Sequence, residues 1–342
     1  MSNSLSSLKK LLNNPKKISI VIHRNPDGDA LGSGLALYEF LKKKGHEVSL
    51  ISPNEIPNYL KWLPGIDQVL VFDDAKDQIK DILKHSDIIF TLDFNDLSRA
   101  GKDLGAYLET LQDIPFVMID HHLEPADYAT YKFSDPSKSS TSEMIYDFMV
   151  SLDGKDLIDK DMATNLYTGI MTDTGSFKFP NTTPHTMCIA ADLMKKGINH
   201  NQIQINIYDS FSLDKLHLLG EALNKLVFLP QYKTAYIALS KDDLKKYHYQ
   251  KGDTEGFVNY GLALKDADFA IMFIENDDEG VRISFRSKGK FPANEFAKQF
   301  FNGGGHLNAA GGRTTTSLDE TVQLFLEKLP EFYKKWQQSN ES

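Results

Sequence analysis

Short runs rich in β-branched and aromatic residues alternate with amphipathic stretches through the first half of the chain, and this alternation limits the fold more than any other feature. It is the pattern of βαβ units, in which parallel strands are joined by helices that pack back on the sheet. The runs are Ile18 to His23, Glu47 to Ser52, Gln68 to Phe72, Asp87 to Phe94 and Pro115 to Asp120, which predicts an α/β domain with a mainly parallel five-stranded sheet flanked by helices. Between the first two runs, Leu31, Leu35, Leu37, Tyr38 and Leu41 recur at roughly helical spacing over Ala30 to Lys44, and Gly45 supplies the stop.

After Asp120 the texture becomes helical, over Ser140 to Leu152, Lys160 to Thr172, Pro184 to Lys196 and Asn199 to Ile207. Ser212 to Leu226 reads as an amphipathic connector. Strands return at Thr234 to Leu239, Phe269 to Glu275 and Val281 to Arg286, with helices near Thr254 to Leu264, Ala293 to Phe300 and Leu318 to Lys335. A chain of 342 residues exceeds the usual size of one compact domain, so the second half is read as a smaller α/β domain with a mixed sheet.

Charge narrows the partners. Acidic residues number 47 against 38 basic ones, a formal net charge of −9, and a field of that sign does not draw in long polyanions. Long duplex DNA is therefore not an expected partner, and any nucleic-acid ligand should be short. Carboxylates gathered around divalent cations would leave the same surplus when the ions are not counted. The single cysteine, Cys188, allows no intrachain disulfide and is expected to pack as a small apolar group. Met1 to Lys17 lacks the apolar core of a signal peptide, and no run approaches the ~20 apolar residues that span a bilayer. The expectation is a cytoplasmic protein with no membrane partner, whose polar tail after Gln337 frays.

The chemistry-bearing residues stand where strands end, the place where open α/β sheets bind ligands. His23-Arg24-Asn25-Pro26-Asp27-Gly28-Asp29 follows the first strand and puts one imidazole and two carboxylates on a tight turn. Taken alone, Asp-Gly is a common turn dipeptide and Asp29 could simply cap the next helix. Yet Asp93 closes the run Ile88 to Leu92, and Asp120-His121-His122 follows Phe116 to Ile119 in the same way. A fourth element, Thr172-Asp173-Thr174-Gly175-Ser176, ends the apolar stretch Leu166 to Met171. Burying so many carboxylates at one rim without cations would cost several kcal/mol per charge, so paired metal ions are the economical account. Oxygen donors with a few imidazoles and no thiolate suit Mn²⁺ or Mg²⁺ rather than a structural zinc, and a two-ion site activates water for attack on phosphorus.

His-x-x-Pro-Asp-Gly-Asp, a lone strand-end Asp, Asp-His-His and Thr-Asp-Thr-Gly, in that order, resemble the DHH phosphoesterase superfamily. The resemblance implies that His23, Asp27 and Asp93 hold one ion and that Asp29, Asp93, His121 and Asp173 hold the other, with Asp93 as the bridge. It implies Mn²⁺ as the cofactor, with Mg²⁺ or Co²⁺ as alternatives. His122 would face the substrate phosphate, and Asp120 would orient a histidine. Arg99 is read either as a phosphate contact or as an exposed arginine in an ion pair.

Asn302-Gly303-Gly304-Gly305-His306-Leu307-Asn308-Ala309-Ala310-Gly311-Gly312 is the most distinctive string in the chain. Consecutive glycines let backbone N–H groups approach an anion, here expected at Gly304 and Gly305, and His306 can add a donor. Arg282, Ser284 and Arg286 share one face of a strand, a plausible phosphate row or else an ordinary solvent-facing stripe. The Gly-Gly-Gly-His loop resembles the substrate-binding domain that accompanies DHH domains. On that resemblance Arg286, Ser287 and His306 are expected substrate contacts, and the chain divides into a catalytic domain over 1–210, a linker helix over 211–226 and a substrate-binding domain over 227–342.

This two-module layout is similar to the stand-alone nanoRNase/pAp phosphatase group, which implies hydrolysis of short oligoribonucleotides and 3′-phosphoadenosine 5′-phosphate (pAp). The metal centre would cut at one end of a short ligand while the second domain holds the other. A phosphodiesterase acting on linear or cyclic dinucleotides is the alternative enzyme, and a nucleotide-binding protein without turnover is the alternative class. A homodimer stays open.

Overall fold

Strands that are apolar along their whole length have to be buried on both faces, and the first half of the chain meets that demand with a parallel sheet covered by helices. The computed structural model describes residues 2–250, 252–276 and 280–340, and the chain divides into two units, Met1–Ser210 and Phe211–Ser342. The first unit runs α1 (Ser2–Leu11), β1 (Lys17–Ile22), α2 (Gly28–Lys43), β2 (Glu47–Ser52), β3 (Val69–Val71), α3 (Lys76–Lys84), β4 (Ile88–Leu92), α4 (Lys102–Glu109), β5 (Phe116–Asp120), β6 (Tyr131–Ser134), α5 (Thr141–Ser151), α6 (Lys160–Asp173), α7 (Pro184–Lys195) and α8 (His200–Gln204). The last of these continues as a π-helical turn over Ile205–Asp209.

The sheet order is β3-β2-β1-β4-β5-β6, and every neighbouring pair is parallel. All five residues of β4 and of β5 are buried. The sheet has six strands rather than the expected five. The sixth, β6, is a short edge strand whose Val117↔Tyr131 and Ile119↔Phe133 register puts only two aromatics against the core, too weak a pattern to stand out in the sequence. The crossover helices α3 and α4 were also not expected, because each buries only a narrow apolar stripe, such as Ile79 and Leu83 in α3.

The order in which strands are added reverses between β1 and β4, since β1 to β3 build outward on one side and β4 to β6 on the other. That switch point opens a crevice at the carboxyl ends of β1, β4 and β5, where the acidic and histidine motifs lie. Two helices pack beside it at close range. A Cβ on Gly32 of α2 would lie 2.4 Å from the Asn165 carbonyl oxygen of α6, and one on Gly28 would lie 2.4 Å from Thr172 Oγ1.

The second unit runs α9 (Leu213–Asn224), β7 (Val227–Leu229), β8 (Thr234–Leu239), α10 (Lys241–Lys246), α11 (Val258–Ala263), β9 (Phe269–Asn276), β10 (Gly280–Ser287), α12 (Ala293–Phe300), β11 (Gly304–His306), β12 (Ala309–Thr314) and α13 (Leu318–Asn340). Its sheet is mixed, in the order β11-β12-β10-β9-β8-β7, with β8 and β9 parallel and the other pairs antiparallel. One face carries a phenylalanine-rich core that includes Phe269, Phe273, Phe285, Phe296 and Phe325. The stretch read as a connector packs into the other face, where Leu218 and Ala222 of α9 join Ile237, Leu239 and Met272.

Three further expectations change. Cys188 is exposed, because α7 turns Thr186, Ile189, Ala190 and Leu193 inward instead. The tail stays helical to Asn340, with Ser339 Oγ donating to the Lys335 carbonyl; the last two positions, 341 and 342, lie outside the described residues. The glycine string is not a loop. Gly304 to His306 pair antiparallel with Ala309 to Gly311, and a Cβ at Gly303 or Gly305 would fall 2.1 or 2.5 Å from a carbonyl oxygen of β12. No helix among the described residues is long and apolar enough to cross a membrane.

Candidate metal centre

The site begins with the turn after β1. Asp27 sits in extended backbone as the N-cap of α2, and its Oδ1 accepts from the amides of Asp29 and Ala30 at 3.0 and 3.1 Å. The cap is thus Asp27, which frees Asp29 from that role. His23 Nδ1 lies 2.9 Å from the Arg24 carbonyl oxygen; a carbonyl only accepts, so Nδ1 carries the proton and Nε2 is left to face the carboxylates. Nε2 is 3.8 Å from Asp27 Oδ1 and 3.4 Å from Asp93 Oδ2.

Asp93 follows β4 with φ at +65°, a left-handed conformation that aspartate tolerates better than most residues. Its amide donates to the Ile119 carbonyl at 3.1 Å, so the turn stays attached to β5. While Oδ2 faces His23, Oδ1 lies 3.6 Å from His121 Nε2. One carboxylate therefore looks in two directions. His121 Nδ1 donates to the Lys138 carbonyl at 3.3 Å, and its Nε2 also stands 3.4 Å from Asp173 Oδ2 and 3.9 Å from Asp29 Oδ2. Asp29 is 1% exposed and accepts from the backbone amides of Thr141 and Ser142, at 2.6 and 2.8 Å, at the N-terminus of α5.

These distances bring His23, Asp27, Asp29, Asp93, His121 and Asp173 together. His23, Asp27 and Asp93 present ligand atoms within 4.8 Å of one another, as do Asp29, His121 and Asp173. Asp120, fully buried, accepts from His122 twice: from Nδ1 at 2.6 Å and from the amide at 3.1 Å. The histidine that Asp120 orients is thus His122, whose ring meets that of His121 edge-on at 5.0 Å.

Electrostatics follow from crowding. Burial favours the neutral imidazole of His23, but Asp27 and Asp93 outweigh it and raise the pKa to about 10. Burial likewise opposes the charged form of His121, and Asp173, Asp93 and Asp29 lift it to about 9. Burial, then Asp93 and Asp173, push Asp29 well above the usual carboxylate range. A divalent cation among these donors would remove the last two causes, and the set of oxygens and imidazole nitrogens without sulfur fits a hard or borderline ion.

Sequence reasoning missed the segment that braces this centre. Lys138, Thr141 and Ser142 supply a carbonyl, a hydroxyl and two amides to His121, Asp93 and Asp29. Ser139 to Ser142 are fully buried although polar, and a run of small hydroxyls before a helix, Ser-Ser-Thr-Ser-Glu, was the available signal.

Arg99 is exposed on a 3-10 turn after β4, where its carbonyl accepts from the Arg24 amide at 2.8 Å; its side chain has no ion pair among the described residues. In the second unit, Arg282, Ser284 and Arg286 share the half-buried face of β10. Arg286 aligns with Ala309 and, across β12, with His306, so a small residue separates the two candidate donors. The Ser287 hydroxyl instead holds the hairpin, donating to the Phe291 carbonyl at 2.7 Å and accepting from Asn308 Nδ2 at 2.8 Å. Gly304 and Gly305 lie in β11, paired with Gly311 and Ala310.

Residues 17–170 match the DHH family, N-terminal domain, and residues 231–335 match the DHHA1 domain. The bifunctional oligoribonuclease and PAP phosphatase NrnA of Thermus thermophilus is 28% identical over 319 residues, covering 92% of this chain and 89% of the relative. The protein of the same name from Bacillus subtilis is 28% identical over 328 residues, covering 90% and 93%. Among solved structures, an exopolyphosphatase-related protein from Bacteroides fragilis superposes with a TM-score of 0.91 at 37% identity, covering 98% of this chain and 97% of that one. With both domains matched in order along the chain, the protein belongs to the DHH family of phosphoesterases and carries a DHHA1 domain behind its DHH domain.

Proposed function

We propose that this phosphoesterase hydrolyses short oligoribonucleotides and pAp, in the cytoplasm, with two divalent cations held by His23, Asp27 and Asp93 on one side and Asp29, Asp93, His121 and Asp173 on the other. The observation that carries the reading is Asp93, which offers one oxygen to the His23 side at 3.4 Å and the other to His121 at 3.6 Å. Divalent ions in such a site acidify a water and neutralise charge on the phosphate, and Mn²⁺ suits the mixed imidazole and carboxylate donors. His122, held through Nδ1 by Asp120, is the group we assign to a phosphate oxygen of the substrate. In the DHHA1 domain, Arg286 and His306 are the groups we assign to a second phosphate, with the backbone at Gly304 and Gly305 beside them. The substrate class rests on the NrnA relatives, whose names join oligoribonuclease to PAP phosphatase.

The test is turnover by purified full chain with Mn²⁺ on pAp, pApA, a five-unit oligoribonucleotide, cyclic di-AMP and pyrophosphate. Release of AMP from pAp and of mononucleotides from the oligomers is expected. Activity confined to pyrophosphate would overturn the substrate assignment, and a strong preference for pApA or cyclic di-AMP over pAp would favour a dinucleotide phosphodiesterase.

A further inference from the structure

A carboxylate that serves two half-sites must be held against rotation, because the terminal torsion of aspartate is broad and costs little to turn. In Asp93 the oxygen facing His121 is also the one that accepts from Thr141 Oγ1, at 3.0 Å in a fully buried setting. Thr141 is itself held in place. Its amide donates to Asp29 Oδ2 at 2.6 Å, and it opens α5 directly behind the N-cap Ser140, whose hydroxyl accepts from the Glu143 amide at 3.0 Å. Behind the turn, Glu143 Oε2 accepts from Ser139 Oγ at 2.5 Å and Thr186 Oγ1 at 2.6 Å, and its Oε1 lies 3.4 Å from Lys138 Nζ. Lys138 is the residue whose carbonyl orients His121. Room for the arrangement comes from Gly169, where a Cβ would fall 2.0 Å from Ser142 Oγ and 2.9 Å from Asp29 Oδ1.

We propose that Thr141 is a positioning residue for the phosphoesterase reaction: its hydroxyl fixes Asp93 in the rotation that presents one oxygen to each half of the donor set, while its amide fixes Asp29. The inference rests on the metal-centre reading given above. Thr141 acts through the two carboxylates that the halves of the proposed centre depend on. Partners of this kind typically change metal affinity by about 10–100-fold when removed.

Thr141→Val keeps the shape and the amide but deletes the hydroxyl, whereas Thr141→Ser keeps the hydroxyl. Mn²⁺ binding to the full chain, stripped beforehand with chelator, is measured by calorimetry alongside kinetics on pAp. The valine variant is expected to bind at least one Mn²⁺ about 10–100-fold more weakly. Its kcat should fall at limiting Mn²⁺ while KM for pAp at saturating Mn²⁺ stays near that of the unmodified chain. Serine should restore the affinity. Equal Mn²⁺ affinity in the valine variant and the unmodified chain overturns the proposal, and so does a serine variant as weak as the valine one. If the valine variant does not fold, the comparison passes to Thr141→Ser against Thr141→Ala, where equal affinities overturn it. An unmodified chain that takes up no Mn²⁺ at all would overturn the metal-centre reading first, which separates the two failures.

Discussion

At the scale of single residues the proposed centre turns on Asp93, whose two oxygens face its two sides, so that replacing it would take a proposed donor from both. Asp93→Ala is expected to lower kcat for pAp by at least ~100-fold, beyond the usual effect of a supporting partner, and steady-state assay at several Mn²⁺ concentrations checks it. The two buried histidines give a pH dependence whose sign can be worked out. In metal-free protein His23 and His121 stay protonated until about pH 10 and about pH 9, above the ordinary 6.5, and a metal must displace those protons. Mn²⁺ affinity should therefore rise with pH through about 9 and up to about 10, with proton release visible as a dependence of the calorimetric heat on buffer ionisation. Stability of the metal-free form should run the other way. The imidazolium pairs support it fully below about pH 6.5, and that support is lost as pH rises through 9 and 10. The six proposed donor residues were legible because each stands just beyond the end of an apolar run. Thr141 and Lys138 were not, since one acts through a hydroxyl and the other through a carbonyl that any residue possesses.

At the scale of elements, strands buried on both faces announced themselves, and α2, α5, α6 and α7 did so by the spacing of their apolar residues. What stayed hidden was polar or short: β6 at the sheet edge, α3 and α4 with narrow apolar stripes, and a hairpin built from glycines. The hairpin misled because glycine signals flexibility in a sequence, whereas in β11 its lack of a side chain lets backbone carbonyls of β12 approach. The same property decides how α2 meets α6. Asp29 in the first turn of α2 and Asp173 at the end of α6 reach a common site because Gly28, Gly32 and Gly169 let the helices close up. Gly32→Ala, with its Cβ 2.4 Å from a backbone oxygen, should destabilise the protein by about 1–3 kcal/mol and weaken Mn²⁺ binding with it. Denaturant unfolding and calorimetry would read both; a variant as stable as the original would show that the helices can part freely.

At the scale of the whole molecule, the two units have separate hydrophobic cores, and all six proposed metal donors belong to the first. Metal binding should accordingly stabilise one unit and leave the other alone. At Mn²⁺ a hundredfold above Kd the gain is about 2.7 kcal/mol, which for a unit of this size shifts the midpoint by about 5–10 °C. Differential scanning calorimetry with chelator and then with Mn²⁺ should show one transition moving and one stationary. Movement of both by the same amount would show that the units unfold together.

The donors are also spread widely in sequence, from His23 to Asp173, and α6 delivers the last of them. During synthesis at about 5–20 residues per second, Asp93 emerges several seconds before its partner on α6 has been made. For that interval the growing polypeptide displays the second proposed donor set without the carboxylate that closes it. On the proposed assignment, capture of the second cation waits for α6, and a ribosome stalled short of position 173 would hold a protein with its sheet largely laid down and an incomplete donor set for that ion.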